Sequence, residues 1–212
     1  MKILVIGASG RVGNDLVKQL LADDHQVIGT TRDKKKLFDA DNYSQLDLDL
    51  LANKDAIQKQ IDDDVEAIYF VAGSGNKALL EVDLHGAVKT MQAAQDKGIN
   101  RYIMLSTVFS LDTSKWTSSA IENLKEYYIA KHYADQWLVN DSTLDYTIVQ
   151  AAALKERAGT GKITINGTDA GENAIADVAS TLAAVLNADS ASKKVFSMQN
   201  GETAIDKAIA TL

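Results

Sequence analysis

The chain has 212 residues, 46% hydrophobic and 24% charged, which is enough for one substantial core and typical of a globular protein, not of a disordered, collagenous or coiled-coil chain. Its 22 basic and 29 acidic residues give a formal charge of −7, a field that repels phosphate backbones and anionic lipid and argues against nucleic acid and membrane partners. Cysteine is absent, which removes disulfides, thiolate catalysis, iron-sulfur clusters and Cys-type zinc sites; proline is absent too, leaving glycine, asparagine and aspartate as punctuation.

The first apolar run, ending at Gly7, is shorter than a signal-peptide core of about 7 to 15 residues. No later run approaches the roughly 18 apolar residues of a spanning helix. Together with the lack of disulfides, this agrees with a cytoplasmic setting. Continuous apolar runs with helical patterns between them predict strands buried on both faces, hence a parallel sheet. Residues 3–6 form the first strand. A glycine loop and a helix follow, in which Val12, Leu16 and Leu20 share one stripe with Val17 and Leu21 beside it. Residues 26–30 return as a strand, and Asp33 is a natural N-cap for a short helix over 33–40. A weaker strand is expected at 44–48, a helix at 52–60, a strand at 67–72, and a long helix over 78–97 ended by Gly98 at C′. Then come a strand at 102–106, a helix at 121–139 and a strand at 145–149 that closes the main sheet. The remainder reads as a strand at 162–165, a helix at 172–187, a strand at 194–198 and a terminal helix from residue 204.

This alternation defines an α/β fold: a doubly wound parallel sheet of the Rossmann type with a small C-terminal appendage. Residues 1–212 are expected to form one domain, with 150–212 contributing a minimal substrate-side lobe. Ligands in such folds bind at the carboxyl ends of the strands, here the loops after Ile6, Thr30, Ala72, Ser106 and Val149.

The loop after the first strand is Gly7-Ala8-Ser9-Gly10-Arg11-Val12-Gly13, a GxxGxxG that opens an amphipathic helix. Glycine serves there to make a tight turn, to admit a pyrophosphate close to the backbone and to pack helix against strand, with the helix N-terminus facing the anion. Ser9 and Arg11 add phosphate donors. After the second strand, an acid would suit the ribose 2′-OH of NAD, whereas this chain has Thr30, Thr31 and Arg32, and arginine suits a 2′-phosphate. Lys34, Lys35 and Lys36 follow, either as an anion-binding extension or as a solvated basic end. Further on, Tyr127 and Lys131 stand four apart, on one helix face. An ammonium beside a phenol favours the phenolate, which would let Tyr127 exchange a proton with a carbonyl or alcohol oxygen near neutral pH. YxxxK is common, and Tyr128 with His132 repeats the spacing. His25, His85 and His132 are scattered without acids at ligand spacing, so no metal site is expected.

The glycine loop, the strand ending Leu105-Ser106-Thr107 and the Tyr127/Lys131 pair, in this order, resemble the short-chain dehydrogenase/reductase superfamily. The glycine spacing is similar to its extended and atypical branches, including small NAD(P)-binding, epimerase/dehydratase-like, biliverdin reductase B-like and NmrA-like members. The resemblance runs along the whole chain through VDLHGAVKTMQAA, RYIMLST, YYIAKHYADQWL and DYTIVQAAAL. It implies that Thr107 or Ser106 hydrogen-bonds the substrate oxygen, Tyr127 donates the proton and Lys131 holds the nicotinamide ribose. Asp83 stands where extended members carry an asparagine, and an aspartate cannot donate as an amide does. Gln150-Ala151-Ala152 replaces an Arg-Pro-Gly type loop, with Gln150 facing the nicotinamide. Asp47-Leu48 resembles the adenine-contacting pair, and Ala72-Gly73-Ser74 the loop beneath the adenosine ribose.

The first reading is an NADP(H)-dependent oxidoreductase, with NAD(H) as the lesser cofactor, that reduces a small carbonyl, quinone or flavin-like acceptor. The second is a non-catalytic NADP(H)-binding redox sensor of the NmrA-like type, favoured by the altered Asp83 and Gln150 positions. Third is a nucleotide-sugar epimerase or dehydratase, for which the residues after Val149 offer little room. The expected partner is a small-molecule acceptor, and the chain is a monomer or homodimer.

Overall fold

A computed structural model describes residues 1–32 and 34–212, so the expected cap Asp33 lies outside the described residues. Strand β1 (Lys2–Ile6) shows why the apolar runs are continuous. Its Ile3 and Val5 face one hydrophobic core while Leu4 and Ile6 face a second on the other side of the sheet. The same split recurs along β4 (Ala67–Phe70), where Tyr69 feeds the first core and Ile68 and Phe70 the second. With both faces buried, no polar alternation can survive.

The sheet has nine strands in the order β11-β8-β10-β6-β5-β4-β1-β2-β3. β2 (Gln26–Thr30), β3 (Tyr43–Leu46), β5 (Arg101–Thr107) and β6 (Asp145–Ala151) continue the parallel array around β1 and β4. The order turns back between β1 and β4, and this switch point opens the crevice in which such sheets bind ligands. Helix α1 (Arg11–Ala22) buries Val12, Leu16, Val17 and Leu20 in the first core, the expected stripe. On the opposite face lie α2 (Lys54–Gln60), α3 (His85–Asp96) and, after a short α4 (Ser119–Glu122), α5 (Lys125–Asn140).

Five expectations change. Residues 34–40 are not helical. Gln45 Oε1 accepts from Leu37 N at 3.0 Å and Gln45 Nε2 donates to Lys35 O at 3.2 Å, so a side chain takes the backbone groups a helix would use. Three lysines in a first turn also oppose the helix dipole. The long helix expected over 78–97 begins as a π-helical turn, Leu79–Leu84, and ends on Gly98 at φ +71, the left-handed conformation anticipated there. The expected helix over 121–139 is broken at Leu124 (φ −115, ψ 19), so α5 starts at Lys125 and Tyr127 sits in its first turn.

Nor does residue 149 close the main sheet. β10 (Lys194–Asn200) pairs parallel to β6, while β8 (Lys162–Ile165) and β11 (Thr203–Ala204) add antiparallel strands beyond it. β7 (Ala153–Lys155) pairs with β9 (Glu172–Ala174), a strand where helix was expected, because Asn173 Oδ1 accepts from Ala152 N and Asn200 Oδ1 from Ala174 N. α6 (Ile175–Ala184) packs beside α1, and α7 (Ile205–Ile209) packs on α6. Among the described residues no helix is long and apolar enough to cross a membrane.

Candidate functional site

A cleft of about 360 Å³ opens at the switch point. Its walls are Gly7, Ser9 and Gly10 after β1, Thr30, Thr31 and Arg32 after β2, and Ala72, Gly73 and Ser74 after β4. Gly7 holds φ +98, and a Cβ there would stand 2.6 Å from Ala72 N; a Cβ on Gly13 would stand 2.1 Å from Gly7 O. The turn is therefore closed to any side chain at either position. Thr30 braces it further, its Oγ1 accepting from Gly7 N at 3.1 Å and its carbonyl from Ala8 N at 3.2 Å. Helix α1 begins with no side-chain cap and no acid in its first turn. Its first N–H groups and positive dipole end are left for an anion at the cleft floor. This cradle fits a dinucleotide diphosphate.

The second half of the site lies at the ends of β5 and β6 and on α5. Lys131 is 3% exposed, yet among the described residues its ammonium makes only a long hydrogen bond, to Leu105 O at 3.4 Å. Its Nζ lies 5.9 Å from the ring centres of both Phe70 and Tyr127. Burial pulls the Lys131 pKa below the usual lysine range, against the opposing pull of Asp83 and Asp135. Tyr127 does not have the acidified phenol expected beside a lysine: burial, followed by the charges of Asp83 and Asp135, pushes its pKa well above the ordinary tyrosine value. Thr107 Oγ1 donates to Tyr128 Oη at 3.4 Å, and the Trp116, Tyr128 and His132 rings meet edge to face at 5.5 and 5.6 Å.

Asp83 joins the halves. It is 1% exposed within the π-helical turn, and its Oδ2 accepts from Ser74 N in the cleft wall at 3.0 Å. The same carboxylate acts electrostatically on both Tyr127 and Lys131.

Not every expected residue faces the cleft. Ala8 and Val12 are core, and Gly13 packs the helix onto the turn. Arg11 pairs with Glu156 at 3.4 Å beside a second, more open groove. Leu48 lines the cleft but Asp47 is exposed and does not; Asp49, Leu50 and Leu51 take that wall, together with Lys77 opposite. Ser106 and Gln150 turn inward. Ser106 Oγ donates to Asp135 Oδ2 at 2.6 Å, Ser110 Oγ to the same oxygen at 2.5 Å, and Gln150 Nε2 to Ser110 Oγ at 2.6 Å. Asp135 is the residue that sequence reasoning missed. Its signal was the same i+4 step that singled out Tyr127 and Lys131, carried one turn further.

A doubly wound sheet with a glycine turn at its switch point and an empty-capped helix behind it defines a dinucleotide-binding protein of the Rossmann class. Residues 7–189 match the family model described as NAD(P)H-binding, and the chain belongs to that family. The crystal structure of the oxidoreductase ylbE from Lactococcus lactis is 43% identical with a TM-score of 0.96, over 100% of this chain and 96% of that one. From Bacillus subtilis, the uncharacterized sugar epimerase YhfK is 35% identical over 100% of both chains. The anaerobillin reductase ChuY from Escherichia coli O157:H7, at 23% identity and a TM-score of 0.75 over 95% of this chain and 98% of that one, shares the fold.

Proposed function

We propose that the chain is an NADPH-dependent reductase in which Tyr127 gives a proton to the oxygen of a small carbonyl, quinone or flavin-like acceptor. The observation that carries this reading is Asp83, one buried carboxylate that touches the cleft wall at Ser74 and acts on Tyr127 and Lys131 from the other side. It makes the dinucleotide seat and the proton-bearing pair a single site. When bound, the dinucleotide supplies the hydride. The Gly7 to Gly13 turn and the α1 N-terminus hold its diphosphate. Arg32, exposed at the cleft edge, meets a 2′-phosphate, with Lys34, Lys35 and Lys36 following in sequence and Thr30 and Thr31 standing where an acid would take a free 2′-hydroxyl. Lys131 has three donors and spends one weakly on Leu105 O, so the others serve ribose hydroxyls. Tyr127, half-buried and held as a neutral phenol by the desolvation of its hydroxyl end, is in the form that reduction requires. Thr107, at the foot of the tyrosines, orients the acceptor oxygen.

Residues 150–212 serve as the acceptor-side lobe of a single domain, with Asp177 anchoring its loop by accepting from Thr160 N and Gly161 N at 2.9 and 2.8 Å. So much of that lobe is sheet and helix that little remains to hold a nucleotide sugar, which sets the epimerase reading last. The sensor reading has one observation in its favour: Ser106 and Gln150, which an acceptor site could use, are both turned into the protein.

The test is consumption of NADPH and NADH, followed by absorbance, against quinones, flavins, aldehydes and ketones. Turnover with NADPH supports the reductase. Tight NADPH binding without turnover on any acceptor overturns it in favour of the sensor.

A further inference from the structure

Asp135 is 0% exposed, and its two oxygens have unequal surroundings. Oδ2 accepts from both Ser106 and Ser110, whereas Oδ1, equally buried, has no hydrogen-bond partner among the described residues. A carboxylate withdrawn from water with one oxygen unpaired is costly unless a nearby cation offsets it. One turn earlier on α5, Lys131 is the complementary case, a buried ammonium whose one hydrogen bond is long. Each ion lacks direct partners sufficient for its burial, and each acts on the other electrostatically.

We propose that Asp135 is a positioning residue that keeps Lys131 in its charged form, so that Asp83 on the cleft side and Asp135 on the sheet side hold one buried ammonium between them. The proposal rests on the reading above in which Lys131 serves the site, and assigns what sets its charge. The groups facing Asp135 are few. Lys131 and Tyr127 lie on its own helix, Ser106 faces it from β5, Ser110 from the turn after β5, and Gln150, which also donates to Ser110, from β6. His132 is engaged elsewhere, its Nδ1 donating to Ser110 O at 2.8 Å. Of these groups only Lys131 carries positive charge. Burial lifts the Asp135 carboxyl to about 6 while the two serines, Lys131 and Gln150 pull it down, so above that pH it is an anion.

The readout is the titration of Lys131 itself, followed by the ¹³Cε resonance of labelled lysine and assigned by its loss in Lys131→Met. In Asp135→Asn the midpoint is expected to fall by about one pH unit, a tenfold change in the amine to ammonium ratio. Asp135→Glu restores it. An unchanged midpoint in folded Asp135→Asn overturns the proposal, whatever happens to stability, since a merely structural aspartate would lower the melting temperature without moving Lys131. The wild-type protein offers a second measurement that needs no variant. Its Lys131 resonance should carry an extra inflection at the midpoint of Asp135's own titration, and a curve without one overturns the proposal equally. Neither measurement depends on turnover, so failure of the reductase reading in the acceptor panel is seen separately.

Discussion

Arg32 and Asp135 are ions in opposite settings, and their substitutions should behave accordingly. Arg32 lies exposed at the edge of the cleft, and in the proposed role its guanidinium pairs with a 2′-phosphate through charge-assisted hydrogen bonds worth about 1.5 to 3 kcal/mol. Arg32→Asp is expected to weaken NADPH binding by roughly ten- to hundredfold and leave NADH nearly unchanged; equal losses in a titration of both cofactors would reject the role. Tyr127→Phe should keep NADPH affinity and remove carbonyl reduction, read as a fall in kcat at constant cofactor Kd. Asp135 acts on stability. Its native pKa of about 6 exceeds the unfolded value of about 3.9, so the native state binds the extra proton. The favourable contribution is therefore complete below about pH 4 and is lost as pH rises through about 6, a change on the order of 3 kcal/mol. Asp135→Asn should flatten the corresponding slope of denaturant stability between those limits, and an unaltered slope would show that the carboxyl titrates normally. Tyr127 and Lys131 were legible because their spacing is itself the signal. Asp135 was not, because in a polar helix sequence an acid reads as surface until the strand ends above it, Ser106 and Gln150, are known.

At the scale of elements, the glycine turn was the most legible feature, since the same three glycines state both its geometry and its use. Gly13→Ala drives a Cβ to within 2.1 Å of Gly7 O. Overpacking of this kind costs typically about 1 to 3 kcal/mol, and here it also displaces the anion seat, so cofactor binding and melting temperature should fall together. Gly98→Ala is the control. Its φ of +71 disfavours a side chain by about 1 to 2 kcal/mol, but a Cβ there meets nothing within 4 Å and the residue is far from the cleft, so stability should fall with NADPH affinity intact. What the chain concealed was every element decided by a distant partner. Leu37 and Lys35 are non-helical because Gln45 claims their backbone, and 172–174 is extended because Asn200 and Ala152 bond to it. Local propensity contains none of these contacts.

For the whole molecule, the two cores and the strand order followed from continuous apolar runs, but the extent of the sheet did not. β10 pairs with β6 across more than forty residues of intervening chain, and its side chains Phe196 and Met198 join the first core. Removing residues 194–212 should leave β6 as a bare edge with the N–H and C=O groups on its β10 side unpaired, and such a product is expected to aggregate on expression; a monomeric, cooperatively folded product in sedimentation and calorimetry would show that the sheet is complete without it. The first turn has a different consequence. Gly7 is wedged against Ala72, tied to Thr30 on both its flanking amides and backed by Gly13, so the turn that would cradle a diphosphate is held by contacts of the fold itself. The entropy of ordering that seat is spent during folding and not at encounter. Cofactor capture at this end is thus pre-organised, and its affinity can be high with little rearrangement of the main chain.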